Sequence, residues 1–398
     1  MEFLSLMALG IGAALALVTL PGTLELLFLT LGGLLPGRKA PAVQADRPFH
    51  LAVIVPAHNE ETGIQRTVQS LLQCDPAGQR SVVVVADNCT DATAERASRA
   101  GARVLVRHDR ERRGKGYALD YAFQQLLPEG IDAFLIVDAD TVVAPNLMAE
   151  ARRYFLAGAD AVQCRYQVRN VDASLRTRWM NAALLAYNVL RPRGRDRWGL
   201  SSGIYGNGFG LSRETLLAVP YHAVSIVEDL EYHLRLVRAG RAVRFIHSSI
   251  VWGDMPTGGR ASTTQRARWE GGRLLIAVRL GPRLLGDILT GRWRMLEPLL
   301  DLLLLPLAFH IVLLAAAAFT PLAAVRAAAL AGLAVVGLHV FAALLKGGGG
   351  PRDFLALAAA PAYILWKLAI LPIIALTSRR SAEWVRTERA NPRKQEPL

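Results

Sequence analysis

Cysteine is scarce: Cys74, Cys89 and Cys164 are the only three in 398 residues, with no C-x-x-C pair and no histidine at ligand spacing. A disulfide framework and a zinc site are thereby excluded, and a reducing compartment fits. Aromatic residues are also few, 7% against 52% hydrophobic, so aliphatic side chains supply the apolar content, as in membrane segments joined to a soluble domain. Acidic residues are outnumbered, 33 against 46 Lys plus Arg, for a net charge of +13. The excess accompanies no recognition helix or other nucleic-acid motif, which excludes nucleic acid as partner. It crowds instead beside apolar runs, with Arg292 and Arg294 before one and Arg379, Arg380, Arg386, Arg389, Arg393 and Lys394 after the last, where anionic lipid headgroups explain it. No Walker A sequence is present, and Gly206-Asn207-Gly208-Phe209-Gly210 lacks the spacing of a dinucleotide fingerprint. The first apolar stretch has no basic region before it and exceeds a signal peptide's core. It reads as a retained anchor ending at Pro36-Gly37-Arg38-Lys39.

Two environments share the chain. Residues 3–35 and 299–376 are sparsely charged, whereas 45–280 carries most acidic residues and the strand-like runs. The organisation expected is an N-terminal anchor over 1–37, an α/β domain over 45–260, an amphipathic segment over 261–297, membrane segments over 298–377 and a basic tail over 378–398. The run 299–320 is expected to make one crossing, and 327–345 and 354–376 are further candidates. Lys367 lies inside the last of these, between Pro361 and Pro372. A lysine at bilayer centre costs roughly 2.5–3.5 kcal/mol, so a broken, re-entrant or protein-lined segment is expected there. Charge bias agrees. Arg38 and Lys39 put the central domain in the cytoplasm and the tail charges put the C-terminus there too, yet three crossings between them would leave the tail outside. One segment is therefore expected not to cross fully.

In the central domain, apolar runs at 50–55, 82–86, 104–106 and 134–137 alternate with helical patterns at 60–72, 91–100 and 116–127. Repeated βα units predict a mostly parallel sheet, and ligands of such sheets bind beyond the C-terminal strand ends. His58-Asn59-Glu60, Asp87-Asn88 and Asp138-Ala139-Asp140 lie at the ends of strands one, two and four.

Asp138 and Asp140 emerge on the same side of an extended chain and can share one Mg2+ or Mn2+, which keeps few carboxylates and leaves room for phosphate oxygens. They could equally cap a loop. Asp87 offers an acceptor to a base or ribose, while Thr90 and Asp91 suit the cap of the next helix. Arg112, Arg113 and Lys115, interleaved with Gly114 and Gly116, form a basic loop fit to cradle a diphosphate, or an ordinary solvated turn. Glu228-Asp229 opens a helix, where carboxylates either complement the dipole or take a proton from an attacking hydroxyl. Gln265, Arg268 and Trp269 share one helical face, offering an amide, a guanidinium and an indole to a sugar diphosphate. Arg266, Arg273, Leu274 and Leu275 support the competing reading, a basic amphipathic helix resting on the membrane.

In order and spacing, Val55-Pro56-Ala57-His58-Asn59-Glu60, Asp87, Asp138-Ala139-Asp140, Glu228-Asp229 and Gln265-Arg266-Ala267-Arg268-Trp269 resemble membrane-anchored family 2 glycosyltransferases over roughly residues 50–275. Arg113-Gly114-Lys115-Gly116 and Gly206-Asn207-Gly208 are similar to the bacterial exopolysaccharide-synthesis group. The resemblance implies a GT-A fold, an α/β domain with a mixed, mostly parallel sheet, flanked by N- and C-terminal transmembrane helices. It implies a UDP-sugar donor bound by Pro56, Ala57, His58, Glu60, Asp87, Lys115 and Asp138, a Mg2+ or Mn2+ ion on Asp138 and Asp140, and Asp229 as the base of an inverting transfer. Glu228, Gln265, Arg268 and Trp269 would meet the diphosphate and acceptor. The implied setting is the bacterial inner membrane, with a cytoplasmic catalytic domain and a polysaccharide or lipid acceptor. A lipid glycosyltransferase acting on a ceramide- or hopanoid-type lipid, and a non-catalytic subunit of a secretion complex, are the competing functions. The sequence shows no counterpart of cellulose synthase's gating-loop motif.

Overall fold

Apolar residues follow one another at 51–55, 82–86 and 133–136, and a strand apolar on both faces is stable only where helices cover both. The computed structural model describes residues 2–42, 48–74, 80–222, 225 and 227–379, and in it these runs become β1 (Leu51–Ala57), β2 (Arg80–Asp87) and β4 (Ala133–Ile136), with β3 (Arg103–Arg107) beside β2. β1 pairs in parallel with both β2 and β4, so Ile54 lies opposite Val83 and Ile136. Alternation sends Val53, Val55 and Leu135 to one face, under α2 (Ile64–Gln73) and α5 (Leu147–Leu156). Ile54, Val83 and Phe134 go to the other, under α4 (Lys115–Leu126) and α9 (Glu228–Arg238). α3 (Thr93–Arg99) and α8 (Arg213–Ala218) are short connectors.

The sheet continues beyond the strands visible in the hydropathy pattern. β5 (Val142–Val143), β6 (Ala161–Val168), β7 (Phe209–Ser212) and β8 (Val243–Gly253) complete the order β3-β2-β1-β4-β7-β6-β8-β5. β7 runs antiparallel to β4, with Phe209 opposite Ile136. That pairing needs a glycine at 210, where a Cβ would stand 2.8 Å from Leu135, 2.9 Å from the Phe134 carbonyl and 3.0 Å from Phe155. The result is the mixed α/β sheet expected, with its parallel half holding the strand ends that carry the polar clusters.

The chain divides into two compact units, and this sheet with its helices is one, built from residues 37–177 and 199–262. The other gathers 1–36, 178–198 and 263–380. It contains α1 (Glu2–Leu34), α7 (Arg191–Arg197), α11 (Leu296–Leu303), α12 (Leu307–Ala318), α13 (Ala323–Gly347), α14 (Pro351–Ala356), α15 (Ala360–Ala369) and α16 (Leu371–Arg379), and most of α6 (Leu175–Leu185) and α10 (Gly259–Leu289). Among the described residues, two helices are long and apolar enough to cross a membrane, Met7–Leu34 and Ala323–Gly347. The run 299–320, expected to make one crossing, is bent by 79° between α11 and α12, as in a broken span or a re-entrant loop. Pro306 is the cause: it disfavours helical backbone just before it, and Leu304 is already extended at ψ 117°. The run 354–376 is broken into short helices, none of spanning length. Arg380, Arg386, Arg389, Arg393 and Lys394 of the basic tail lie outside the described residues.

α1 and α13 run in the same direction. Leu322 stands beside Gly12, and further along both helices Thr30 Oγ1 meets His339 Nδ1 at 2.7 Å. Thr23 Oγ1 reaches His310 Nε2 of α12 at 3.0 Å. Such pairs are the polar glue of apolar helix bundles. In α11, buried Asp301 meets Arg195 at 2.6 Å, Arg273 at 3.1 Å and Arg191 at 3.5 Å, and Arg195 also approaches Glu25 at 3.8 Å.

Candidate active site

Loops at the C-terminal ends of β1, β2 and β4 bring the predicted donor residues together. Pro56 and Ala57 close β1, and the imidazole of His58 bonds through Nδ1 to the Asp87 carbonyl at 2.7 Å, tying the first loop to the second. Both loops turn through asparagines in the left-handed region, Asn59 at φ 55° and Asn88 at φ 51°, a conformation asparagine tolerates better than bulkier residues. Asn59 Oδ1 accepts the Thr90 N–H at 2.8 Å. Glu60 is buried, with its N–H donated to Thr93 Oγ1 at 2.7 Å and its carbonyl accepting Gly63 and Ile64 at the start of α2. Asp91 Oδ1 accepts the Thr93 N–H at 3.0 Å, fastening the entry to α3.

Asp87 is a paired carboxylate: Arg107 Nη1 donates to its Oδ1 at 2.6 Å, and both side chains are only 8% exposed. Burial pushes the Asp87 carboxyl up, and the Arg107 guanidinium pulls against it. Arg107 escaped the sequence reading, although it ends β3 directly opposite Asp87 in the β2–β3 register. Its other nitrogen holds Asp109 Oδ2 at 2.8 Å. Replacing Arg107 with methionine should lower stability by about 3 kcal/mol, because removing one member of a buried ion pair leaves the other charge uncompensated. Adding Asp87→Asn should recover part of that loss in thermal unfolding of the purified chain; no recovery would sink the assignment.

The turn after β4 is pinned from several sides. Asp138 donates its N–H to Asn207 Oδ1 at 3.1 Å, and Asn207 donates to Thr141 Oγ1 at 2.8 Å. Gln163 Nε2 holds the Asn207 carbonyl at 2.8 Å, and Thr67 Oγ1 holds that of Ala139 at 2.8 Å. Asn207, buried between Gly206 and Gly208, therefore sets the path of the Asp138–Asp140 turn. A fully polar residue packed between two glycines was its signal in the sequence. Lys115 Nζ, at the start of α4, donates to Asp138 Oδ1 and to the Gly206 carbonyl. Gly206 sits at φ +76°, and a Cβ there would lie 3.1 Å from Asp229 Oδ2 and 3.9 Å from Lys115 Nζ. Asp138, Lys115 and Asp229 thus converge on one small volume, with Glu228 beside Asp229 at the start of α9.

Electrostatics follow from that crowding. Burial opposes the Lys115 ammonium, but the Asp138, Glu228 and Asp229 carboxylates outweigh it and hold its pKa above the ordinary value. Burial and the adjacent Asp229 push the Glu228 carboxyl up to about 7. Asp229 is also raised by burial, against the Leu230 N–H that its Oδ1 accepts at 2.8 Å. Among the described residues no three His, Cys, Asp or Glu side chains gather as a metal cage. Two carboxylates, Asp138 and Asp140, do not fit structural zinc, but they do fit Mg2+ or Mn2+, which bind through one or two carboxylates plus water and phosphate oxygens. The Lys115 ammonium lies on Asp138.

Gln265, Arg268 and Trp269 lie in α10, as expected, in the other unit. Arg266 and Arg273, the residues that favoured a helix lying on lipid, turn into the protein. Arg266 is buried, with its guanidinium 5.7 Å from the centre of the Trp269 ring, and Arg273 donates to Tyr187 Oη at 3.0 Å and Asp301 at 3.1 Å. Leu274 remains exposed.

The family described as Glycosyltransferase like family 2 matches residues 48–272. The probable glycosyltransferase YdaM of Bacillus subtilis is 26% identical over 243 residues, 58% of this chain and 56% of that protein. The beta-monoglucosyldiacylglycerol synthase of Synechocystis is 29% identical over 266 residues, 64% of this chain and 55% of that protein. The chain spans about half the length of these curated relatives. Among solved structures, the mannosyltransferase PcManGT from Pyrobaculum calidifontis, in complex with GDP-Man and Mn2+, aligns over 94% of this chain and 99% of its own. The two are 19% identical with a TM-score of 0.59, a likeness in fold, which is of the GT-A kind.

Proposed function

We propose that this chain, which belongs to Glycosyltransferase like family 2 and is a glycosyltransferase, moves a sugar with inversion from a UDP-sugar to an acceptor held at a membrane. The observation that carries the reading is the convergence on Lys115: one ammonium ties Asp138, at the end of a central strand, to the Gly206 turn that backs Asp229.

In this reading Pro56, Ala57, His58, Glu60 and Asp87 line the nucleotide, with Asp87 held in place by Arg107. Asp138 and Asp140 would hold Mg2+ or Mn2+, which when bound neutralises charge on the departing diphosphate. Lys115 exchanges Asp138 for a phosphate oxygen when donor enters. Asp229 takes the proton of the attacking hydroxyl while Glu228 keeps the local potential negative, and Gln265, Arg268 and Trp269 receive diphosphate and acceptor. The catalytic unit is assigned to the cytoplasmic face of a bacterial inner membrane, on the support of Arg38 and Lys39 and the two helices of spanning length.

A growing exopolysaccharide is the acceptor we favour, and a membrane lipid the second reading, supported by the kinship to a glucosyldiacylglycerol synthase. Labelled UDP-glucose, UDP-N-acetylglucosamine and GDP-mannose, each incubated with the full chain in vesicles, separate them. We expect a UDP-sugar to be turned over into a product that lengthens with time. An organic-soluble product of fixed size would reject the polymer, GDP-mannose turnover alone would reject the UDP assignment, and no turnover at all would reject the function.

A further inference from the structure

We propose that Lys367 is a positioning residue for the helix carrying Gln265, Arg268 and Trp269, an inference that rests on the role given to that helix above. Lys367 is the one Lys, Arg, Asp or Glu in the run 354–376, and it is 2% exposed. Its Nζ donates to Glu270 Oε1, on the residue next to Trp269. The same carboxylate oxygen lies 4.0 Å from Arg266 Nη1, and the Arg266 guanidinium stands 5.7 Å from the Trp269 ring centre. The chain of contacts therefore runs from Lys367 through Glu270 and Arg266 to the indole itself. Around it, Ala267 packs against Ile370 and Ile374, and Lys367 Nζ sits 5.5 Å from the Phe309 ring centre.

The arrangement is a poor one for stability alone. Two cations share one carboxylate, while Glu270 Oε2, Arg266 Nε and Arg266 Nη2 are buried without hydrogen-bond partners. Buried ion pairs replaced by apolar residues of similar size are often neutral or stabilising, so an apolar pair would hold these helices at least as well. What the ionic chain adds is direction. A carboxylate fixed by Lys367 sets the guanidinium plane, which sets the indole, in the helix that also carries Gln265 and Arg268.

The test replaces the pair with apolar residues, Glu270→Leu with Lys367→Met, in the full chain in phosphatidylethanolamine–phosphatidylglycerol vesicles, using whichever labelled nucleotide sugar the wild type turns over. A misplacement of about 1 Å can cost up to ~100-fold in rate, and we expect kcat to fall at least about tenfold with donor KM unchanged and no loss of melting temperature. Lys367→Arg, which keeps the charge, should retain most of the rate. Unchanged kcat in the double variant would overturn the proposal, and so would failure of that variant to fold, which would make the pair a folding element. A nitroxide at Arg268→Cys, in a Cys89→Ser background, reads the helix without turnover. It should be immobilised with the pair present and mobile in the double variant, and equal mobility in both overturns the inference. A wild type inactive with every donor counts against the proposed function and leaves the nitroxide to decide.

Discussion

Asp229→Asn should lower sugar transfer by about 10²- to 10⁴-fold, the range that general base catalysis supplies, while leaving nucleotide affinity within a few-fold. Asparagine keeps the size of the side chain and an oxygen to accept the Leu230 N–H that Asp229 Oδ1 accepts at 2.8 Å, so the start of α9 is preserved and the base is lost. The wild-type pH profile carries the same assignment. A base works ionised, and burial raises both carboxyls, Glu228 to about 7. The acidic limb of the rate profile should therefore lie above the ordinary aspartate range, with a plateau at higher pH. In Asp229→Asn the like charge beside Glu228 disappears, one of the causes of its elevation, so the acidic limb of the residual activity should move to lower pH. Rate profiles of both proteins against pH, with nucleotide affinity measured separately, check this. A variant retaining more than about a tenth of the wild-type rate would remove Asp229 as the base.

How much of this was legible before the structure depends on whether a residue's role is local. The strands ending at Ala57, Asp87 and Ile136 announce themselves as aliphatic runs, and the polar residues that follow must fall at strand ends. Asp87, Asp138 and the helix start at Glu228 were visible for that reason. Arg107 was not, because its importance comes from register: only the β2–β3 pairing puts it opposite Asp87. Asn207 stood out between two glycines but its role did not, since what it holds, the Asp138 amide, is 69 residues away. The strands β6, β7 and β8 are interrupted by Gln163, Gly210 and the polar stretch through Ser248 and Ser249, so no apolar run marks them. Among the apolar helices, hydropathy found the segments but not the 79° bend at Pro306, nor the inward turn of Arg266, whose surroundings come from chain about a hundred residues later.

Chelation of divalent metal should lower turnover by about 10³-fold, as expected if charge neutralisation worth several kcal/mol is removed from the departing diphosphate. Activity alone cannot distinguish a metal on the two aspartates from one carried in by the nucleotide, so the decisive measurement is Mn2+ binding followed by its EPR signal. Asp140→Asn should weaken Mn2+ affinity both with and without UDP, since a carboxylate ligand is lost and no ion pair involving Lys115 is disturbed. Lys115→Met should do two opposite things. Without nucleotide, Asp138 is freed from the ammonium that now occupies it, so Mn2+ should bind more tightly. With donor present, turnover should nevertheless fall, because the lysine no longer moves to the phosphates. A generally damaged site would lose both together, and a lysine with a purely structural role would not tighten the metal. Full activity in chelator, or Mn2+ affinity indifferent to both substitutions, would displace the metal from Asp138 and Asp140; the opposed pair of effects would make Lys115 the cation that holds the site until donor and metal arrive.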